Sequence, residues 1–313
     1  MLDGLLIIDK PEGPTSHDVV AGVRRILKVK RVGHTGTLDP FATGVLVVLT
    51  GRATRLAQFL SGAEKEYQAV VRFGYATDTG DSTGEPKGEV RSPEFRVQST
   101  ESDHWIEAAL VGLRGEIEQV PPMYSAKKVQ GRKLYEMARR GVEVERKAVR
   151  VVIHELEAEA GDDGSLLSRN EDGTYDLSVR VVCSAGTYIR TLAEAIGERL
   201  GVPAHLASLR RTRAGNFFIK DAIALDELRE KVEAGQFIIQ MDAALSRLPF
   251  VHLTADEARK TLHGVALRVQ SDLGWAADQP IRMRDASGAL IAVGFYDAAN
   301  RLLRPRVVLF PEK

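Results

Sequence analysis

Apolar residues along this chain come in short runs whose period switches repeatedly between that of a strand and that of a helix. Leu5 to Ile8 is an unbroken apolar run of strand length, stopped by Pro11, Gly13 and Pro14. Thr15 and Asp18 then have capping-box spacing, and Val19, Val20, Val23, Ile26 and Leu27 recur on one face. This predicts a helix as far as Lys28, with Arg24 and Arg25 on its other side. VLVVLT reads as a second buried strand and RATRLAQFL as a helical segment. In a third strand, Tyr67, Ala69, Val71 and Phe73 alternate with polar neighbours. Ile106, Ala109, Leu110 and Leu113 mark another helix. Tyr175, Leu177, Val179, Val181 and Cys183 mark a half-buried strand, and SAGTY turns from it into the helical pattern IRTLAEAIGERLG. From about Val251 onward, IRMRD, LIAVGFYD and RVVLF read as short strands between Gly, Asp and Asn turns.

The breaks set the organisation. Pro121-Pro122 opens an extended stretch that reads as a projecting insertion over about residues 121–150, and the Gly161 to Thr174 loop, rich in Gly, Asp, Ser and Asn, is expected to be the most dispensable segment. A chain of 313 residues exceeds the usual size of one hydrophobic core. We therefore expect a large domain over residues 1–249 and a small, mainly β module over 250–313. No apolar run approaches the roughly 18 residues of a membrane span, and Asp3 stands where a signal peptide carries positive charge. The expectation is a cytoplasmic protein without membrane contact. Cys183 is the only cysteine, and the histidines show no zinc-type spacing, so no metal is expected.

Net charge is zero, but its distribution is uneven. Lys127 to Arg150 holds nine basic and three acidic residues, a net +6, and Glu155 to Asp176 holds one basic and eight acidic residues, a net −7. By itself a basic run is more often a solvated face than a nucleic-acid site. In GHTGTLDP, small residues place His34 and Asp39 in a loop that another backbone can approach. On spacing alone, such an aspartate more often only supports the turn before Pro40. The loop matches neither the P-loop nor the dinucleotide fingerprint. Asp78-Thr79-Gly80 resembles the aspartic-protease triplet but occurs once, which favours a turn. Arg190 falls in the first turn of its helix, where the dipole disfavours a cation unless an anion lies beside it or the helix begins later. Tyr67 and Tyr188, read alone, are core aromatics.

Seven ordered motifs, DKPEGPTSHDVV, GHTGTLDPFATGVL, EKEY, TDTGDSTG, PPMYSAKKVQGRKLYEMARRG, SAGTYIRTLAEAIG and SLRRTRAG, run through nearly the whole chain. Together they resemble the bacterial family of tRNA pseudouridine-55 synthases. The resemblance implies an α+β catalytic domain on a mixed, mainly antiparallel sheet flanked by helices. It also implies a thumb-like insertion and a small, mainly β C-terminal RNA-binding module of the pseudouridine-synthase-and-archaeosine-transglycosylase type. Asp39 matches the catalytic aspartate and Arg190 its arginine partner, expected to keep the carboxylate ionised. His34, Tyr67, Tyr188 and Leu209 match the target-uridine pocket, Tyr67 also assisting catalysis. Lys127, Lys128, Arg132, Lys133, Arg139 and Arg140 become candidate RNA contacts. The implied enzyme is a cofactor-free isomerase acting on the tRNA T stem-loop as a monomer, without an obligatory protein partner. A guide-RNA-dependent subunit and a non-catalytic tRNA-folding chaperone are the alternatives.

Overall fold

The computed structural model describes residues 2–88, 100–125, 128–129, 132–138, 141–142, 144–233, 238–269 and 274–309, with backbone only at 100–102, 128–129, 132–133, 135–136 and 232–233. The chain opens with β1 (Gly4–Lys10), α1 (Ser16–Leu27), β2 (Val32–His34), β3 (Thr43–Thr50), α2 (Ala57–Leu60) and β4 (Lys65–Phe73). A hairpin of β5 (Ala76–Thr77) and β6 (Pro86–Lys87) follows, then α3 (Thr100–Val111), β7 (Gly115–Gln119), a hairpin of β8 (Lys128–Val129) and β9 (Arg132–Lys133), and α4 (Leu134–Ala138). Next come β10 (Val149–Glu159), β11 (Leu167–Arg169), β12 (Tyr175–Cys183), α5 (Ile189–Leu200), β13 (Ala204–Ala214) and β14 (Phe217–Phe218).

The main sheet has the order β1-β3-β13-β4-β12-β10-β7, with β2, β14 and β11 as side pairings. Every pairing in it is antiparallel except the short parallel contact of β13 with β3, where Arg210 and Arg211 face Thr43 and Gly44. The expected mixed, mainly antiparallel architecture is therefore observed. β1 and β3 read as unbroken apolar runs because both their faces are covered. Leu6, Ile8, Leu46 and Val48 pack on Val19 and Val23 of α1, while Leu5, Ile7, Val45, Val47 and Leu49 pack on the other side with Ala53 and Phe217. The Thr15–Asp18 capping box starts α1 as its spacing predicts, and Lys28 ends it at φ 55°.

The last part runs through helices Leu228–Glu233 and Met241–Ala244, β15 (Phe250–His252), α6 (Ala255–Leu262), β16 (Leu267–Arg268), β17 (Pro280–Arg284), β18 (Leu290–Asp297) and β19 (Leu302–Val308). These five strands form a separate sheet in the order β15-β17-β18-β19-β16 around Leu253, Ile281, Met283, Ala292 and Leu303. Val293, Val307 and Leu309 of this sheet pack with Leu56 and Leu245, tying it to the main body.

Several local expectations change. The RATRLAQFL segment is mostly a 3-10 helix, Gly51–Leu56, before one α turn. The acidic loop contains a short strand: β11 pairs with β12, and Leu167 and Thr174 are buried there, with one aspartate-led turn at Asp163 before β11 and another at Asp172 closing the hairpin. α6, with its Thr254–Glu257 capping box, interrupts the stretch read as strands alone.

Candidate active site

On β4 the inward register carries Lys65 and Tyr67 as well as Ala69, Val71 and Phe73. The strand that buries its apolar residues thus turns a lysine and a phenol inward on the same face. On β13, Leu209 lies opposite Ala69 and Arg211 opposite Tyr67, and register shifts at Leu206/Ser208 and Arg211/Arg213 bracket the pair. Such bulges re-aim the side chains of a strand. Lys65, Tyr67, Leu209 and Arg211 make the floor of a cavity of about 240 Å³.

Above this floor runs the loop from β2 to β3, held by three buried side chains that grip its backbone. Lys10 Nζ donates to the carbonyls of Pro11, Pro40 and Ala42 at 2.8, 3.0 and 2.7 Å. Ser16 Oγ donates to the Leu38 carbonyl at 3.0 Å and accepts from its N–H at 2.9 Å. Arg211 donates to the carbonyls of Val45, Gly36 and Thr37 at 2.7, 3.1 and 3.4 Å. Gly44, at φ 100°, ends the loop where a Cβ would lie 2.2 Å from the Arg211 carbonyl oxygen, so β3 and β13 approach this closely only at glycine. Asp39 therefore enters the cavity from a backbone that is fixed on three sides.

The opposing wall is the N-terminus of α5. Gln119 holds it by donating to the Tyr188 carbonyl at 3.2 Å and accepting from the Tyr188 N–H at 2.9 Å. Arg190, its side chain 6% exposed, places Nη2 3.0 Å from Asp39 Oδ2 and Nη1 3.4 Å from Asp81 Oδ2. It also donates to the carbonyls of Thr79 at 2.9 Å and Tyr124 at 2.6 Å. Two carboxylates and two carbonyls thus offset the unfavourable placement of a cation in a first helical turn. Asp81 is fixed in turn by Thr79 Oγ1 at 2.8 Å, Thr83 Oγ1 at 2.6 Å and the Thr83 N–H at 3.0 Å. Asp78 accepts from the Glu85 N–H at 2.8 Å, the turn role favoured over a protease triplet.

Burial pushes the Asp39 carboxyl above the usual carboxylate range; Arg190 and Lys10 pull it down, and Asp81 pushes it up. Arg190 thus offsets only part of the desolvation. Burial lowers Lys10 and Lys65 to about 8 and raises the Tyr67 phenol, which the nearby Arg211 guanidinium pulls the other way.

Asp39, Arg190, Tyr67, Tyr188 and Leu209 all line this one cavity. His34 does not. It closes β2 opposite Val48, its ring meets His17 edge-on at 5.5 Å between centroids, and among the described residues its buried Nδ1 has no partner within hydrogen-bond geometry. Strand pairing carries its side chain away, and the neighbouring Thr35 lines the cavity instead. Lys127, Arg139 and Arg140 lie outside the described residues, as do the side chains of Lys128, Arg132 and Lys133. Sequence reasoning missed Lys10, Ser16, Lys65, Asp81, Gln119 and Arg211. Lys65 had a visible signal, since it shares the phase of the buried positions of β4. Among the described residues, no group of three or more His, Cys, Asp and Glu side chains is arranged to hold a metal ion.

Two family models match consecutive parts of the chain. The TruB family pseudouridylate synthase N-terminal domain matches residues 24–189, and the tRNA pseudouridylate synthase B C-terminal domain matches residues 190–246. Asp39 falls in the first and Arg190 in the second, so the ion pair joins the two matched regions. A protein named tRNA pseudouridine synthase B from Geobacillus thermodenitrificans is 46% identical over 278 residues, 87% of this chain and 88% of that protein. One of the same name from Bacillus pumilus is 39% identical over 318 residues, 100% of this chain and 99% of that protein. Among solved structures, a chain of an H/ACA RNP bound to a substrate RNA containing 2′-deoxyuridine superposes with a TM-score of 0.70 at 27% identity, covering 99% of this chain and 86% of that one. A chain of a Cbf5-Nop10-Gar1 complex gives 0.70 at 28% identity, with the same coverage. With a family model matched over more than half its length and relatives of this identity along most of it, the chain belongs to the TruB family of pseudouridylate synthases.

Proposed function

We propose that this chain converts a uridine in the T loop of tRNA, at position 55, to pseudouridine, acting in the cytoplasm as a monomer without cofactor or obligatory protein partner. The observation that carries the reading is the Asp39 carboxylate, 33% exposed and opening into a cavity whose far wall supplies the Arg190 guanidinium at 3.0 Å. A base reaches such a cavity only by leaving the RNA stack. Tyr67 then offers it an aromatic face, and Leu209 and Ile189 offer apolar walls that exclude water. In the isomerisation the N1–C1′ bond breaks and a C5–C1′ bond forms, C5 gives up a hydrogen and N1 takes one up. The atoms balance with no redox partner or nucleotide. Asp39 is the group that acts on the glycosidic side, and Arg190 fixes its orientation. Lys127, Lys128, Arg132, Lys133, Arg139 and Arg140 lie in the +6 segment and would neutralise RNA phosphates.

The stand-alone form is favoured over a guide-dependent subunit because the relatives named tRNA pseudouridine synthase B are 39 to 46% identical, against 27 to 28% for the RNP-associated chains. Incubating the pure chain with unmodified tRNA transcript should yield pseudouridine without added factors. Asp39→Asn should bind the tRNA and leave less than a few per cent of the turnover, a barrier rise above about 2 kcal/mol. Product appearing only with added protein and guide RNA would favour the complex-bound alternative, and binding without product in either case would leave the chaperone alternative.

A further inference from the structure

A second cavity, of about 490 Å³, lies behind the Arg190 side chain. Its described lining comes from α5 with Glu194, the β5–β6 hairpin with Lys87, and Val120, Pro122, Met123, Tyr124, Val142 and Arg146. Val120 and Val142 on its rim are among the exposed large apolar residues of the chain. Glu194 is half-buried, and burial pushes its carboxyl above the ordinary glutamate value; Lys87, Arg190 and Arg146 pull it back, and Glu198 pushes it further up. Among the described residues, neither the Glu194 carboxylate nor the Lys87 ammonium has a hydrogen-bonded or ion-paired partner. Arg146 donates one bond, from Nη1 to the Pro121 carbonyl at 3.0 Å. A partly desolvated carboxylate without a partner is costly unless something supplies donors to it.

We infer that this cavity is a nucleobase site that takes guanine, an inference that rests on the RNA-modifying role proposed above. Guanine alone among the four bases presents two adjacent donors, N1–H and the N2 amine, to a single carboxylate. Its O6 and N7 are acceptors for Lys87 and Arg146 on the other walls. Met123, Pro122 and Val142 provide apolar surface for the faces of the ring. Thr79 and Tyr124 line this cavity, and their carbonyls are the ones that receive Arg190, so a base bound here shares a wall with the catalytic arginine.

The test uses the full chain in two arms that separate a free nucleotide from a base of the bound RNA. In the first, equilibrium dialysis compares GMP with AMP, CMP and UMP, and GMP should be preferred about tenfold. In the second, each guanosine of the tRNA transcript is replaced in turn by inosine, which lacks the N2 amine. One such change should raise KM about tenfold in the native chain but not in Glu194→Gln. Lys87→Ala, on a different element, should weaken the same preference if loss in Glu194→Gln comes from the site rather than from misfolding. Guanine preference in neither arm, or preference retained in both variants, overturns the site. Dialysis does not depend on turnover, so guanine binding without pseudouridine product would count against the proposed isomerase and leave the site standing.

Discussion

Arg190 sits between two carboxylates, and that position specifies its side chain. One guanidinium nitrogen faces Asp39 and the other faces Asp81, so a planar fork spans what a single ammonium cannot. Arg190→Met would leave the buried Asp81 and the partly buried Asp39 without their shared cation, and pseudouridine formation in single turnover should fall by about a hundredfold or more, roughly 3 kcal/mol. Arg190→Lys should lie between it and the native chain, and near-normal turnover by the Met variant would remove Arg190 from the machinery. The titrations set a pH window. In the proposed reaction Asp39 acts ionised, and its carboxyl is raised above the ordinary value, so the acid limb of kcat/KM should lie on the alkaline side of an ordinary aspartate. Lys10 and Lys65, both lowered to about 8, place the alkaline limb near there, because deprotonated Lys10 loses its charge-assisted hold on three carbonyls. The stability consequence of Asp39 has the opposite sign to that of a salt-bridged acid. With the folded value above the unfolded one, the cost is absent below the unfolded value and grows as pH rises through the folded value. Asp39→Asn should therefore unfold at a higher temperature than the native chain near neutral pH, and the difference should vanish in acid.

At the scale of elements, the site is a loop clamped between strands and the start of one helix. Ser16 is the clamp most readily tested, because its hydroxyl both donates to and accepts from Leu38 while the residue caps no ladder of its own. Ser16→Ala leaves a buried N–H and C=O unpaired and should cost about 2 kcal/mol of stability in chemical denaturation. Turnover should fall more than tRNA affinity does, since the displaced group is the segment that carries Asp39. An unchanged unfolding midpoint would show that the loop holds its shape without this clamp. Elements with a clean period were legible in advance: α1 with its capping box, β3 as an apolar run, and β4 and β12 by alternation. β13 was not, although it sits at the centre of the sheet. Its Arg210, Arg211 and Arg213 hide the alternation, and the two bulges break its phase. Within the acidic stretch the strand pairing was not legible either, since Asp and Gly mark a tight hairpin turn as readily as a longer loop.

Across the whole molecule, the C-terminal sheet and the main body share one apolar cluster built on Leu56, Leu245, Val293, Val307 and Leu309. The 127–150 segment carries a net charge of +6, and the proposed role in RNA binding predicts its contribution from that charge alone. Changing Arg132, Lys133, Arg139 and Arg140 together to alanine should weaken tRNA binding and reduce the slope of log K against log salt by about 3. An unchanged slope would make the segment a solvated face. Sequence by itself determined the period of each apolar run, hence the elements, and the ordered motifs, hence the family; both are local or linear properties that tertiary contacts do not alter. Only the tertiary structure decided which polar residues serve the site. Lys65 and Arg211 line the cavity of Asp39 because β4 and β13 pair side by side, Asp81 reaches Arg190 because a turn folds back on itself, and His34 is left aside because β2 pairs with β3. Register and burial are set by partners far away in the chain, so no window of sequence contains them.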